Sequence, residues 1–261
     1  MKHIKTLLIC MSLPLLWLVS CEKSPEVEGW TSMSKNFITQ YYMPGDGDTI
    51  KIMPRPSDLD NKEIPENSYG LGILCLNPIE GDNPTLMERY ADTAYYSGIP
   101  TPNNNDAIGK VIVDITIKAV DNYNDNYPAG AYLDDISYIT YASYYPFIQN
   151  GYNKVTDHDP ELSGTTYDVQ YGYTPYKECI VDMEPMILTA LLANTYFPLP
   201  KDEESSPRKY GVEAWLGTIS MSEPPESSEM PEIEVTVTFD DGTVFISRSS
   251  YEEPSEELPR G

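Results

Sequence analysis

The chain has 261 residues, with 17 Lys+Arg against 41 Asp+Glu and a formal charge of −24. That length suits one large β-type domain or two small ones, and so negative a surface repels phosphate backbones, which excludes sequence-independent nucleic-acid binding. A hydrophobic content of 40% supplies a packed core, while 21 Tyr, 23 Pro and 16 Gly suit short strands joined by turns better than long helices.

Lys2, His3 and Lys5 open the chain, and residues 7–19 are apolar apart from Ser12 and Pro14. Such a segment is too short to span a bilayer as a permanent helix and reads as a secretory signal. It ends in Leu18-Val19-Ser20-Cys21, which resembles the bacterial lipobox. The resemblance implies cleavage before Cys21 and a diacylglycerol on its sulfur, where each methylene buried in lipid contributes about 0.8 kcal/mol. The alternative is an ordinary signal peptide with Cys21 a chance thiol. Residues 1–20 are therefore expected to be a lipoprotein signal peptide. Residues 21–35, polar at first and without apolar periodicity, are expected to be a flexible tether. The acidic stretch after Cys21 is similar to the export signal of Bacteroidetes-type surface lipoproteins, which implies an outer-membrane, surface-exposed location. Loss of the signal removes Lys2 and Lys5 but no acid, so the mature chain is more negative still.

Strands are expected at 37–43, 50–53 and 69–76, and a helix over 85–96, where Leu86, Met87, Tyr90 and Ala94 recur at helical spacing. The clearest strand is 111–120. Val111, Val113, Ile115, Ile117 and Ala119 alternate onto one face, and Asp114, Thr116 and Lys118 share the other with Ile112. Further strands are expected at 136–145, 166–173, 179–183 and 212–219. Residues 186–193 read as a short helix or equally as a buried strand. Residues 222–229 form a solvated loop by composition.

Residues 233–239 alternate again, followed by Asp240-Asp241-Gly242-Thr243 and a second run over 244–249. A two-residue turn at Asp241-Gly242 pairs Phe239 with Val244 and Val237 with Ile246, all on the core face. Residues 251–261 are expected to be a disordered acidic tail. No repeat of fixed period is visible, which argues against solenoids and propellers. The pattern as a whole predicts an all-β chain whose residues 36–250 form an antiparallel β-sandwich with one or two short helices.

The 111–120 strand, the following Asp121-Asn122-Tyr123-Asn124-Asp125-Asn126-Tyr127-Pro128-Ala129-Gly130, then Leu133-Asp134-Asp135-Ile136, resemble a pattern of uncharacterised Bacteroidetes-type lipoproteins. The late hairpin and the lipobox are similar too. The resemblance rests on short segments and implies an immunoglobulin-like β-sandwich on a lipid anchor. It brings no catalytic residues.

Chemistry is sparse. Once the signal leaves, His158 is the sole histidine, set in Thr156-Asp157-His158-Asp159-Pro160. Zinc sites built on several imidazoles are excluded, and any hydrolase triad must use His158, whose plain reading is an exposed turn residue. Oxygen donors in Gly45-Asp46-Gly47-Asp48 and in 121–126 suit calcium. However, Tyr127 stands where an EF-hand starting at Asn122 needs glycine, and Asx-rich turns bond their own backbone. No P-loop, dinucleotide fingerprint or nucleophile elbow occurs, so no cofactor and no enzyme activity are expected. Cys75 and Cys179 lie in apolar, strand-like runs. They form a disulfide, closing a loop worth about 4–5 kcal/mol, or remain two buried thiols.

Eight of the 21 tyrosines fall between Tyr123 and Tyr152. Strand alternation sends Tyr138 and Tyr144 one way and Tyr141 and Tyr145 the other. One set then fills the core and the other offers amphipathic rings to a glycan or a surface protein, unless all pack into sheets. The expectation is a lipid-anchored envelope protein with a non-catalytic binding or structural role, meeting the membrane through its lipid and avoiding nucleic acid. The competing expectations are an envelope hydrolase acting on glycans through paired carboxylates, and a subunit of a surface fibre.

Overall fold

Alternation of β-branched and polar side chains builds the sheet that carries the strongest sequence signal. In the computed structural model, β6 (Ile112–Ala119), β11 (Ile233–Phe239) and β12 (Val244–Arg248) form an antiparallel sheet in the order β12-β11-β6. The structure describes residues 36–55, 68–75, 78–80, 83–95, 105–153, 174–191, 194–198, 210–227 and 229–249. The expected signal peptide, tether and tail, the expected 166–173 strand and His158 lie outside them.

A larger sheet faces the first. Its path is β2 (Thr49–Arg55), β3 (Ser68–Cys75), β10 (Tyr210–Met221), β7 (Ser137–Ser143) and β8 (Thr174–Cys179), with β9 (Asn194–Pro198) paired to β10. Every pairing in it is antiparallel. The twelve residues of β10 serve three neighbours. β3 runs along one edge, while β9 takes residues 210–214 and β7 takes 217–221 of the other. A bulge between Trp215 and Gly217 marks the handover. There Gly217 is required, because a Cβ would sit 2.4 Å from the Thr140 carbonyl oxygen.

Inward-facing Ile50, Ile52, Leu71, Ile73, Ile139, Leu216 and Ile219 of the large sheet meet Ile115, Ile117, Val235, Val237 and Phe239 of the small one in one core. Each such side chain contributes roughly 1.5–3 kcal/mol. The fold is thus an antiparallel β-sandwich, and helix among the described residues is limited to α1 (Pro84–Tyr90), α2 (Tyr145–Gln149) and short 3-10 turns.

A second core lies around a small sheet in which β1 (Gln40–Tyr42) pairs antiparallel with β4 (Pro78–Glu80) and parallel with β5 (Asp106–Ile108). Alternation splits these short strands between the cores. Tyr42 and Ile108 point into the sandwich, and Tyr41 and Ala107 into the second cluster.

Several expectations need correction. The hairpin closes one residue out of the predicted register: Thr238 pairs with Val244, Val237 with Phe245 and Thr236 with Ile246. Its loop holds three residues, Asp240-Asp241-Gly242, with Phe239 N donating to Thr243 O and Gly242 at φ 84°. The left-handed glycine makes the extra loop residue cheap, and a one-residue slip reverses the facing of the whole second strand. Val244 and Ile246 therefore stand outside, at 51% and 66% exposure. In β6 a register shift opposite Thr238/Phe239 leaves Val113 as an extra residue, so Ile112 is buried and Val113 exposed, the reverse of strict alternation.

The predicted strand at 179–183 is instead the end of β8 followed by a 3-10 turn, Ile180–Asp182. The predicted 85–96 helix starts on an Asn83 cap, whose Oδ1 accepts from Leu86 N at 3.2 Å, but stops at left-handed Ala91 (φ 57°). Asp92, whose N–H still bonds Met87 O at 2.9 Å, then turns its carboxylate into the second core. The 136–145 strand ends at Ser143, and Pro146 in the first turn of α2 reopens the chain as a helical turn. Over its described part, 186–193 is neither helix nor strand. It is an extended segment kinked at Leu188 (φ 46°), bridging Ile112, Ser143 and Ala107 through Met186, Thr189 and Ala190.

Candidate functional site

The outer face of the six-stranded sheet is the candidate site, and the register lays it out in rows. Lys51, Gly72 and Trp215 lie side by side in the first row. Met53, Gly70, Thr218, Thr140 and Lys177 form the second, and Ser68, Ser220, Tyr138 and Cys179 fall in the third, where Ser68 and Ser220 are buried. Glycines floor the middle of β3. A Cβ at Gly72 would touch the Trp215 ring at 3.4 Å, so the indole lies over this floor. Lys177 holds its ammonium 5.6 Å from the centre of the Tyr138 ring. Trp215 and Tyr138 are half-buried. From two rows and one strand step, they stand about 14 Å apart. The surface between them carries hydroxyls of Thr140 and Thr218.

The four tyrosines singled out from sequence do not form one surface. Tyr138 alone lies on this face. Tyr141 is buried at 3%, stacks on Tyr176 at 5.1 Å and donates to Glu178 Oε1 at 3.2 Å. Burial beside Glu178 pushes its hydroxyl well above the ordinary tyrosine range. Tyr144, fully buried, packs edge-on against Phe37 at 5.3 Å in the second core, and Tyr145 opens α2. Alternation stops holding at Ser143 because the strand itself stops there. Trp215 is the residue of this face outside the tyrosine cluster, and its parity, shared with Glu213 rather than with Ala214, is the signal that places it on the outer side of β10.

Cys21 lies outside the described residues. The Cys179 thiol is free, 3.8 Å from Asp134 O. Cys75 pairs with Val212 at one end of β10, whereas Cys179 aligns through Tyr138 with Ser220 at the other. Seven or so strand steps separate the two by more than about 20 Å, far beyond disulfide reach of about 7 Å. The free-thiol alternative therefore describes Cys179, and no bridge joins it to Cys75.

The loops rich in oxygen donors use them locally. Asp48 Oδ2 accepts from Gly45 N at 2.9 Å, Asn122 Oδ1 from Ala129 N at 2.9 Å, and Asn124 Oδ1 from Asn126 N at 2.9 Å. The 222–229 loop is solvated as expected but tied down. Tyr123 donates to Glu223 O at 2.7 Å, and Glu226 N to Tyr123 O at 2.7 Å. Burial pushes the Tyr123 hydroxyl up to about 12. Among the described residues, no three His, Cys, Asp or Glu side chains converge as a metal site would require, and no helix is long and apolar enough to cross a membrane.

Two carboxylates have environments of opposite kind. Asp92, fully buried, accepts from Phe37 N at 2.7 Å, Ile38 N at 2.9 Å and the Tyr152 hydroxyl at 3.0 Å. Burial raises its pKa above the ordinary 3.8, against the pull of those hydrogen bonds. Tyr152, held at φ 61°, is itself pushed up to about 12, first by burial. Asp241, in the hairpin loop, lies 2.6 Å from Lys110 Nζ, which lowers its pKa to about 2. Neighbouring Asp240 binds Arg89 of α1 and accepts from Val111 N at 3.1 Å. Both groups work as structural clamps, one on the segment entering β1 and one on the hairpin tip. No protein-family model, no curated protein and no solved structure matches the chain.

Proposed function

We propose that the chain is a non-catalytic binding protein moored to the outer membrane through a lipid on Cys21, and that it recognises a glycan with the outer face of its six-stranded sheet. The observation that carries the reading is the placement of Trp215 and Tyr138 on one face, Trp215 over a glycine floor and the hydroxyls of Thr218 and Thr140 between the two rings. Aromatic rings give flat apolar contact to the faces of sugar rings, and hydroxyls and lysine ammoniums give hydrogen bonds around them. Recognition by rings set about 14 Å apart on a sheet face suits a polymer better than a small metabolite, which favours a deep pocket. The immunoglobulin-like lineage and surface exposure implied by the lipoprotein resemblance belong to the same proposal.

A glycan array probed with the wild type, Tyr138→Ala and Trp215→Ala tests the recognition. Binding by the wild type that both variants lose, with melting curves preserved, supports it. Equal binding by all three overturns it, and release of cleaved sugars from a bound glycan would replace it with the hydrolase reading. Labelled palmitate should enter the wild type and not a Cys21→Ala variant.

A further inference from the structure

The outer face of the small sheet differs from that of the large one. Of the six large apolar side chains that stand exposed among the described residues, four lie here: Val113, Tyr132, Val244 and Ile246, at 39%, 63%, 51% and 66%. Monomeric surfaces scatter such residues singly, and a group of them marks a contact surface. The hairpin slip and the β6 bulge put three of the four there, so the patch is a direct product of the two departures from simple alternation.

The face is also self-complementary. Its rows, read across β6, β11 and β12, are Asp114-Thr238-Val244, Thr116-Thr236-Ile246 and Lys118-Glu234-Arg248. If a second copy is laid on it about a two-fold axis running across the strands, the middle row meets itself and the outer rows exchange. Ile246 then faces Ile246, the flat β-branched threonines face one another, and Asp114 of each copy faces Lys118 of the other. An axis running along the strands instead sets Glu234 against Glu234 and Lys118 against Arg248, so like charges meet even though Arg248 also pairs with Glu234 of its own copy at 2.9 Å. A closed two-fold pair needs one patch that complements itself, and the first arrangement supplies it.

We infer that this face is the contact between two copies of the chain, stacked sheet on sheet about that axis. Its extent, three strands by about seven residues, is roughly 14 by 23 Å. That is smaller than the ~800 Å² per partner of stable complexes. The pair is accordingly weak and reversible, and repulsion between two strongly acidic copies limits it further until salt screens charges beyond about 8 Å.

Sedimentation velocity of the purified full chain, across a wide concentration range in physiological salt, reads this directly. The wild type is expected to pass reversibly from monomer to dimer, Ile246→Lys to stay monomeric at every concentration, and Asp114→Lys to associate at least tenfold more weakly. Combining Asp114→Lys with Lys118→Asp restores the facing pair and is expected to restore the dimer, an outcome that a folding defect does not produce. A wild type that remains monomeric throughout overturns the inference, as does an Ile246→Lys variant that associates like the wild type. Failure of the double exchange to recover association overturns the two-fold arrangement. None of these readouts depends on glycan binding.

Discussion

The two cores of this protein are built from different materials. The sandwich core is mainly aliphatic, its isoleucines, valines and leucines arriving from strands that pair over long ladders, with Tyr42, Tyr69, Tyr123, Tyr141 and Phe239 among them. The second core gathers Phe37, Tyr41, Tyr90 and Tyr144 from short strands and helical turns, with Asp92 buried beside them. In the first, long ladders satisfy most peptide groups, and tyrosine hydroxyls reach carbonyls only at its margin, Tyr69 to Pro231 O and Tyr123 to Glu223 O. In the second, the ladders are three residues long, so side-chain oxygens must satisfy what the sheet leaves over. A carboxylate at Asp92 and a tyrosine hydroxyl at Tyr90, donating to Gly109 O, do so.

The contrast can be broken deliberately. Ile117→Ala empties the middle of the sandwich core, and a cost of about 2–5 kcal/mol is expected in urea unfolding, carried by the whole transition. Asp92→Ala strands two buried N–H groups and the Tyr152 hydroxyl, so a loss of roughly 2–4 kcal/mol should appear in the same measurement. Gly217→Ala forces a methyl group onto the Thr140 carbonyl at the bulge and should cost about 1–3 kcal/mol. The smallest change is expected from Asp241→Asn at the solvent-facing hairpin tip, about 0.2–1 kcal/mol.

The two aspartates sharpen the comparison through pH, because their shifts have opposite signs. Asp92 lies above 3.8 in the folded chain, so folding takes up a proton in the interval between that value and its raised one. Its contribution to stability therefore falls as pH climbs through that interval and is level above it. Asp241 lies near 2, so its contribution is complete above 3.8 and disappears as pH drops towards 2. Urea midpoints followed against pH should lose the first slope in Asp92→Asn and the second in Asp241→Asn. Unchanged profiles in both variants would contradict the assigned environments.

Local pattern made β6 and β11 legible, since alternation over seven or eight residues admits one inward face. The departures within them were not. The Val113 bulge and the three-residue hairpin loop each add one residue whose cost depends on the partner strand and on Gly242. The 186–191 segment was ambiguous because its conformation follows from three isolated bridges to distant strands rather than from its own periodicity. The candidate face was half visible. Tyr138 came from a tyrosine cluster, but its company with Trp215 depends on a register between β7 and β10.

By itself the amino-acid sequence determined the all-β class, the acidic composition and which strands carry apolar residues, because composition and period-two alternation are local properties of the chain. Tertiary structure alone decided which of those apolar residues face water, where Asp92 is buried, how far Cys75 lies from Cys179 and which aromatic rings share a surface. Each of these depends on register and on contacts between segments far apart in the chain, and a single added residue in a bulge or loop reverses them.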